Sequence, residues 1–291
     1  MTAVVAPIVV GVDGSESALD AVRWAAAECA RHRVPLRLVH GYVLPVGGYP
    51  EIVLTSYGVR ESMAALARGW LEAGVAAARS TAPDVDVETD SVLDGVVPTL
   101  IRESKRARMV VLGSRGLGAF TGMLLGSTAV ALAAHGKCPV VVVRGAATEG
   151  GPVVVGVDGT PASEAAIAFA FEAASTREAP LTAVLSWTDV RVDSAFTEAR
   201  ITIDWSQVEE EEERLLAQRL AGWQEKYPDV RVERLVLRDR PVHALLRLAE
   251  TAQLLVVGSR GRGGFTGMLL GSTSQALVHH SHCPVAVVRP A

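Results

Sequence analysis

The sequence predicts an α/β fold made of two tandem repeats, and an internal duplication carries this prediction. The segment Ile8–Ser15 (IVVGVDGS) returns 145 residues later as Val153–Thr160 (VVVGVDGT). At the same spacing Met109–Arg144 returns as Leu254–Arg289, with 24 of 36 positions identical. A repeat of this length equals one ordinary domain and far exceeds a solenoid unit. We therefore expect two homologous domains, each with its own core.

The boundary between the repeats is expected in a short segment rich in Gly and Ala, residues 145–151. Such a composition is typical of a linker. The predicted domains are residues 1–146 and residues 147–291. The chain has 291 residues, of which 49% are hydrophobic, and this is enough to bury two cores.

In the first repeat, apolar positions switch in a regular order between the period of a strand and that of a helix. The β-branched run Val9–Val12 stops at Asp13, and helical spacing begins at Ser15 or Ser17, either of which would cap the helix. Pro98 suits the first turn of a later helix. The predicted elements are strand 8–12, the helix from Ser15, strand 35–40, helix 60–80, strand 86–92, helix 98–106, strand 109–112, helix 127–135 and strand 139–143. This order predicts a parallel sheet with helices on both faces and right-handed crossovers.

The composition excludes several classes of protein. A net charge of −4 indicates no basic surface that would attract nucleic-acid phosphates, and an aromatic content of 5% leaves few rings on which bases could stack. No nucleic-acid partner is therefore expected. No apolar run approaches the roughly 18 residues of a membrane helix, and the N-terminus lacks the basic region of a signal peptide. Three cysteines without local partners suit a reducing compartment. We expect a cytoplasmic protein that does not bind membranes.

A glycine motif after the fourth predicted strand carries the functional signal. Its first copy consists of Gly113–Gly116 (GSRG), nine further residues and Gly126–Ser127, and its second copy spans Gly258–Ser272 with the same spacing. Closely spaced glycines allow main-chain N–H groups to approach a ligand, and the Ser-Thr pair of each copy stands where a helix should begin, which is typical of phosphate binding. No Gly-Lys-Ser/Thr occurs, so this is not a Walker A loop, and a dinucleotide fingerprint would follow the first strand instead.

Two loops of each repeat are expected to meet at one edge of the sheet, because ligands of open α/β sheets bind beyond the carboxyl ends of the strands. Asp13 and Asp158 end the first strand of each repeat and would meet ribose hydroxyls or a metal ion held by phosphates. Each could instead cap the following helix. Arg115 and Arg260 either pair with phosphate or lie on the surface as solvated charges.

The remaining histidines and cysteines are interpreted as structural. His279, His280 and His282 are close in sequence, but neighbouring helical side chains point in different directions, so no metal site is predicted. Cys138 and Cys283 occupy matching positions before a proline and are expected to be buried small hydrophobic residues.

These motifs resemble the ATP-binding branch of the universal stress proteins, in the tandem two-domain form of actinobacterial type. The resemblance rests on Gly-x2-Gly-x9-Gly-Ser after a fourth strand, on the Asp that ends the first strand and on a Cys-Pro-Val-Val-Val ending, and it covers both halves. It implies in each domain a five-stranded parallel-sheet, Rossmann-like sandwich of the adenine nucleotide alpha hydrolase-like type. It also implies one ATP per domain, possibly with Mg²⁺, and a regulatory role in stress adaptation or dormancy. Homo-oligomers and an intrachain pseudo-dimer through the last strands, Val140–Val143 and Val285–Val288, are further implications.

Carried over by position, the resemblance assigns one set of residues in each domain to the nucleotide. The first set is Gly11, Asp13, Gly41, Gly113, Ser114, Arg115, Gly116, Gly118, Gly126, Ser127 and Thr128, and the second is Gly156, Asp158, Trp187, Gly258, Ser259, Arg260, Gly261, Gly263, Gly271, Ser272 and Thr273. Gly41 and Trp187 stand where the family usually has a small aliphatic residue against adenine. Trp187 would either stack on the base or block its pocket.

Three functions follow from these observations. The leading one is an ATP-binding regulator whose nucleotide biases its conformation or its partner surface. A slow ATPase or a nucleotidyl or phosphoryl transferase would need a positioned base, but no His or Lys is repeated beside the loops, so no catalytic residue is predicted. A nucleotide-free oligomeric scaffold built on the last strands is the third.

Overall fold

The computed structural model describes residues 5–43, 56–116, 126–145, 147–160, 163–188, 205–261 and 270–290. The chain divides into two compact units, Met1–Val143 and Arg144–Ala291, called unit 1 and unit 2 below. In each unit strands and helices alternate along the chain, as the change of apolar period predicts.

Unit 1 has five strands and four helices within its described residues. The strands are β1 (Ile8–Gly11), β2 (Leu36–Tyr42), β3 (Val87–Leu93), β4 (Met109–Gly113) and β5 (Val140–Val143). The helices are α1 (Glu16–His32), α2 (Ser56–Thr81), α3 (Val96–Glu103) and α4 (Ser127–His135).

Unit 2 repeats this order. Its strands are β6 (Val153–Val157), β7 (Leu181–Trp187), β8 (Val232–Arg238), β9 (Leu254–Gly258) and β10 (Val285–Val288). Its described helices are α5 (Glu164–Thr176), α6 (Trp205–Leu220), α7 (Trp223–Lys226), α8 (Pro241–Ala249) and α9 (Ser272–His280).

Each unit is built on a parallel sheet with the strand order of a doubly wound fold. The order is β3-β2-β1-β4-β5 in unit 1 and β8-β7-β6-β9-β10 in unit 2. In unit 1 the chain places β2 and β3 on one side of β1 and then places β4 and β5 on the other side. Unit 2 does the same around β6, so the strand order reverses between β1 and β4 and between β6 and β9. Loops that follow these strand pairs therefore separate at the carboxyl edge and leave a crevice, the usual ligand position of such sheets.

The central strands are buried on both faces, which explains their uninterrupted apolar sequences. Ile8, Val9 and Val10 of β1 are fully buried, and so are Val153–Val155 of β6. In unit 1, α1 contacts α2 and α3 contacts α4, so the helices form two layers on the two faces of the sheet. The predicted Rossmann-like α/β sandwich is confirmed.

Two local predictions are settled by the structure. Ser15, and not Ser17, caps α1, because its hydroxyl accepts a hydrogen bond from the main-chain N–H of Ala18 at 3.2 Å. Helix α3 begins two residues before the predicted Pro98, at Val96, because Gly95 provides the extended N-cap conformation. Pro98 still lies in the first turn, where its missing N–H costs no helical hydrogen bond.

The three cysteines are buried and none forms a disulfide. Burial raises the pKa of Cys138 to about 12, and burial also raises the pKa of Cys283. Both therefore stay protonated at neutral pH, as expected for cysteines that act as small hydrophobic residues. Within the described ranges, no helix combines the length and the apolar character needed to cross a membrane.

Candidate functional site

In unit 2 the predicted loops line one cavity of about 260 Å³ at the carboxyl edge of the sheet. Its walls come from the ends of β6, β7 and β9 and from the first turns of α5, α8 and α9. The lining residues are Gly156, Val157, Asp158, Ser163, Val184, Ser186, Pro241, Leu245, Val257, Gly258, Arg260, Gly261, Gly271, Ser272, Thr273 and Ser274. The structure thus brings together most of the residues predicted for the second site.

Asp158 lines this cavity, and its two carboxylate oxygens differ in their hydrogen bonding. Its Oδ1 accepts hydrogen bonds from the main-chain N–H of Thr160 at 3.0 Å and from the Thr160 hydroxyl at 2.8 Å. Its Oδ2 is buried and has no hydrogen-bond partner in the structure. A buried acceptor left in this state is unfavourable until a donor reaches it, so Oδ2 is a ready acceptor for a ligand hydroxyl or a cation.

The first turn of α9 forms the opposite wall. Gly271 is its N-cap and provides no side-chain cap, and its main-chain N–H donates to the Ser259 carbonyl at 2.8 Å. The Ser274 hydroxyl donates to the Gly258 carbonyl at 2.6 Å and ties the helix to the end of β9. The helix therefore starts beside the glycine loop, with its N-terminal N–H groups and positive dipole end at the cavity.

The glycines of this loop leave little space for side chains. A Cβ atom added to Gly261 would lie 3.1 Å from Oδ2 of Asp158, and one added to Gly271 would lie 3.4 Å from the Ser259 carbonyl oxygen. The main chain at Gly261 thus lies close to the Asp158 carboxylate, and the absence of a side chain permits this approach.

The prediction for Trp187 is corrected by the strand register. Gly41 is paired with Val92 on β3, and the residue of β7 at the equivalent position, paired with Leu237 on β8, is Ser186. Ser186 lines the cavity and donates its hydroxyl to the Asp239 carbonyl at 2.5 Å.

Trp187 lies one residue further along β7 and is not among the lining residues. Its ring stacks on Trp205 with 5.6 Å between centroids, and the Arg238 guanidinium lies over the Trp205 ring at 4.4 Å. Successive strand residues point to opposite faces, so a shift of one position moves this side chain away from the cavity.

Arg260 gives the wall of the cavity a positive charge, since it is exposed and lines the cavity. Burial and, after it, repulsion by Arg260 lower the pKa of Arg289, which follows β10, the strand paired with β9. Within the described part of the chain, no group of three or more His, Cys, Asp or Glu side chains could hold a metal ion.

Unit 1 brings the corresponding residues together in a tighter arrangement. Asp13 Oδ1 accepts hydrogen bonds from the Ser15 main-chain N–H at 3.1 Å and from its hydroxyl at 2.7 Å, as in unit 2. In addition, the Arg115 main-chain N–H donates to the Ser17 hydroxyl, and the Ser15 hydroxyl reaches the Arg115 carbonyl, both at 3.3 Å. These two contacts, called the serine clasp below, join the glycine loop of unit 1 to the start of α1.

The glycines of unit 1 are correspondingly closer to their neighbours. A Cβ atom on Gly113 would collide with the main chain of Ser17, and one on Gly116 would collide with Oδ2 of Asp13. A Cβ atom on Gly41 would lie 2.9 Å from the Cα atom of Val96, whereas unit 2 has room for the Ser186 side chain at this position. Gly11 would meet Leu112 at 2.8 Å.

The other predicted site residues fall into three groups. Ser114 and Ser259 are buried and shape the turn, since the Ser114 carbonyl accepts from the Gly126 main-chain N–H as Ser259 does from Gly271. Gly126, Ser127 and Thr128 form the N-cap and first turn of α4. Gly118 and Gly263 lie outside the described residues.

Sequence reasoning missed the apolar wall of the cavity and three of its polar residues, Ser163, Ser186 and Ser274. Val184, Pro241 and Leu245 form this wall, and Ser163 lies at the start of α5. None belongs to a motif, but Val184 lies on β7, whose carboxyl end reaches the same edge. Pro241 opens α8 after a short loop, so a search of all β-to-α junctions would have included it.

A two-unit α/β protein with a glycine-lined crevice at the carboxyl edge of its sheet is the class that this fold and site define. A sequence profile of the universal stress protein family matches residues 5–144 and again residues 151–289. A universal stress protein of Mycolicibacterium smegmatis is 44% identical over 289 residues, which cover 97% of each chain. One of Mycobacterium tuberculosis is 43% identical over 303 residues, covering 97% of this chain and 94% of the relative. The chain belongs to the universal stress protein family.

A solved structure supports the fold over the whole length. The crystal structure of a universal stress protein from Archaeoglobus fulgidus aligns with a TM-score of 0.70 at 20% identity, covering 98% of each chain. At this identity the similarity concerns the fold. The predicted family and the predicted tandem arrangement are confirmed.

Proposed function

We propose that unit 2 binds an adenine nucleotide, with ATP as the expected ligand, and that the protein acts as a nucleotide-dependent regulator in stress adaptation or dormancy. The observation that carries the proposal is the buried, unpartnered Oδ2 of Asp158 in a cavity that also contains the N-terminus of α9. A ligand that fits both must carry a hydroxyl donor and an anionic group, and a nucleotide carries both.

The phosphates are placed at the glycine loop. The uncapped N-terminus of α9 offers main-chain N–H groups, and Gly261 and Gly271 remove the side chains that would cover them. Arg260 adds a positive charge at the same wall. Each such interaction is worth only about 0.3–1 kcal/mol at an exposed helix end, so the convergence of several donors is needed to hold a phosphate chain.

The ribose and the base are placed along β6 and β7. Asp158 accepts a hydrogen bond from a ribose hydroxyl through Oδ2. The base lies against Val184 and Leu245, an apolar wall of the kind that holds planar ligands. Strand β7 continues past Leu185, its last residue paired with β6, so the main chain of Ser186 can meet the polar edge of a purine. The choice of adenine follows from the family resemblance.

The proposal favours binding over turnover. The titratable side chains among the described lining residues are Asp158 and Arg260. Efficient phosphoryl transfer needs a group that positions or deprotonates the nucleophile next to the phosphate, and the Asp158 carboxylate is placed at the ribose instead. A ligand that is held and released slowly suits a regulator, because its different affinity for two conformations shifts their populations.

The nucleotide content of the purified protein tests the proposal. The protein is denatured, the released nucleotides are separated by anion exchange, and the emptied protein is titrated with ATP by calorimetry, with and without Mg²⁺. We expect co-purified or added ATP to bind and to stay intact over hours. Rapid conversion to ADP would favour an enzyme, and a protein that binds no nucleotide would favour a scaffold.

A further inference from the structure

An arginine outside the cavity holds the loop that carries Asp158. Arg219, near the C-terminus of α6, donates from Nε to the Gly159 carbonyl at 3.0 Å. Its Nη1 lies 3.5 Å from Oε1 of Glu164, the first residue of α5. The guanidinium therefore connects an outer helix to the turn between β6 and α5.

The bond made by Arg219 acts on Asp158 through a single peptide unit. The Gly159 carbonyl and the Thr160 N–H belong to the same planar peptide, in which they point in opposite directions. Arg219 holds this peptide by its carbonyl, and Asp158 Oδ1 accepts from its N–H at 3.0 Å. Fixing the carbonyl therefore fixes the donor that orients the carboxylate, and a charged donor on the carbonyl strengthens the N–H as a donor.

The turn needs such a restraint. Gly159 has a φ of +74°, a conformation that glycine enters and leaves without a steric penalty. The guanidinium is itself held by Glu164, which also accepts from Nε1 of Trp223 at 3.4 Å. The Arg219 guanidinium thus has Glu164 as a second partner in addition to the peptide that it holds.

Among its described residues, unit 1 shows no such arrangement. The residue 145 positions before Arg219 is Gly74, and the indole of Trp70 lies against Gly14, the counterpart of Gly159. The uncharged indole of Trp70 in unit 1 thus lies against the turn that a cation holds in unit 2. Arg219 is not part of the repeated glycine motif and does not line the cavity.

We propose that Arg219 is a positioning residue for ribose recognition in unit 2: it holds the Gly159–Thr160 peptide so that Oδ2 of Asp158 faces the ligand hydroxyl. This inference rests on the proposed function and adds to it a specificity determinant outside the cavity. The loss of Arg219 should therefore affect the part of the affinity that depends on the ribose hydroxyls.

The test compares ATP with 2′,3′-dideoxy-ATP, which lacks both ribose hydroxyls. Calorimetry gives the two dissociation constants for the full-length wild type and for Arg219→Ala. We expect Arg219→Ala to bind ATP about tenfold more weakly and the dideoxy nucleotide within about twofold of the wild type, so that the ribose preference is largely lost. Asp158→Asn should lose the same preference, and the double variant should lose no more than Asp158→Asn alone.

Two further variants keep the result interpretable. Arg214→Ala removes the same charge from the same helix, but Arg214 is exposed and bonds only to Glu210 among the contacts the structure gives it, so its ribose preference should equal that of the wild type. Arg219→Lys keeps the charge and can donate one hydrogen bond to the carbonyl, so it should recover part of the preference. If thermal unfolding shows that Arg219→Ala does not fold, the preference for ATP over the dideoxy nucleotide is measured with Arg219→Lys instead.

The outcomes separate the two proposals. A wild type that binds neither nucleotide overturns the proposed function and this inference with it. A wild type that binds and prefers ATP, together with an Arg219→Ala or Arg219→Lys variant that keeps the full preference, overturns the inference alone. Equal weakening of both nucleotides would also overturn it, because a purely structural role has that signature.

Discussion

The two units carry nearly the same glycine motif but build different crevices from it. In unit 2 the loop after β9 opens on a cavity with an unsatisfied carboxylate oxygen. In unit 1 the serine clasp joins the loop after β4 to the start of α1. The motif alone therefore does not decide how the loop is held, which depends on residues around it.

Three substitutions between the repeats account for the difference. Ser17, which accepts from the Arg115 main chain, has Ala162 as its counterpart in the sequence, so the hydroxyl of the clasp is absent from unit 2. Leu112 crowds Gly11, whereas the smaller Val257 takes this place beside Gly156, where the corresponding distance is 3.3 Å instead of 2.8 Å. The third is at Gly41, whose counterpart is Ser186. In unit 2 the space between β7 and α8 is wide enough for the serine side chain. We expect unit 2 to be the tighter nucleotide site.

The largest effect is expected from closing the cavity. Gly261→Val places a branched side chain 3.1 Å or less from Asp158 Oδ2, the atom proposed to accept from the ribose hydroxyl, so ATP binding by unit 2 should weaken by at least about 100-fold. Calorimetry measures the loss. Gly116→Val is the matched change in unit 1 and should leave the tight binding event in place. Equal losses of ATP binding in the two variants would show that the two units do not differ in ATP affinity.

Removal of the positive charge at the loop should have a smaller effect. Arg260→Gln leaves the cavity shape intact but removes a cation beside the phosphates, so ATP should bind about five- to tenfold more weakly. AMP, with fewer phosphate charges, should lose less. Arg115→Gln in unit 1 is the control. An identical loss for ATP and AMP would place Arg260 away from the phosphate chain.

Opening the serine clasp should make unit 1 more like unit 2. Ser17→Ala removes the acceptor for the Arg115 N–H and recreates the alanine of the second repeat. In a Gly261→Val background, we expect this change to strengthen ATP binding by unit 1 by about threefold, because an exposed neutral hydrogen bond contributes about 0.5–1 kcal/mol. Titration of the two variants side by side measures the difference. Unchanged or weaker binding would mean that the clasp does not restrain the loop.

The smallest change in affinity is expected when a residue of unit 2 is replaced by its counterpart in unit 1. Ser274→Ala removes the buried hydroxyl that bonds the Gly258 carbonyl and recreates Ala129 of unit 1. The free energy of unfolding should fall by about 1 kcal/mol, since a buried carbonyl loses its donor, while ATP affinity changes by less than about threefold. Denaturant unfolding and calorimetry test the two parts. A large loss of affinity without loss of stability would instead make the hydroxyl a direct ligand contact.

Much of this architecture can be predicted from the sequence because it depends on local patterns. The buried valine runs predicted the strands, and the 145-residue repeat predicted two homologous units. The glycine motif follows the fourth strand of each repeat and the Asp follows the first. These two loops were predicted to meet because the carboxyl ends of parallel strands share one edge. The start of α3 differed by two residues and its end by three, and the earlier start reflects that a helix can begin at a glycine N-cap as well as at a proline.

The details that distinguish the two crevices could not be predicted in this way. The bond from Arg219 depends on how α6 lies over the turn after β6, which involves residues 60 positions apart, and it leaves no periodic signal in the sequence. The position of Ser186 is different, because Ser186 stands 145 residues after Gly41 and the repeat itself indicates it. The structure adds the register at the end of β7, where one residue decides which face a side chain occupies.

A crystal structure of the full-length protein with ATP would show whether unit 2 holds the nucleotide at the glycine loop. We expect phosphate density between Gly261 and Thr273 and a ribose hydroxyl within hydrogen-bond distance of Oδ2 of Asp158. A structure in which ATP lies elsewhere, or in which Oδ2 is bonded to the protein's own main chain and the cavity contains no phosphate, would contradict this expectation.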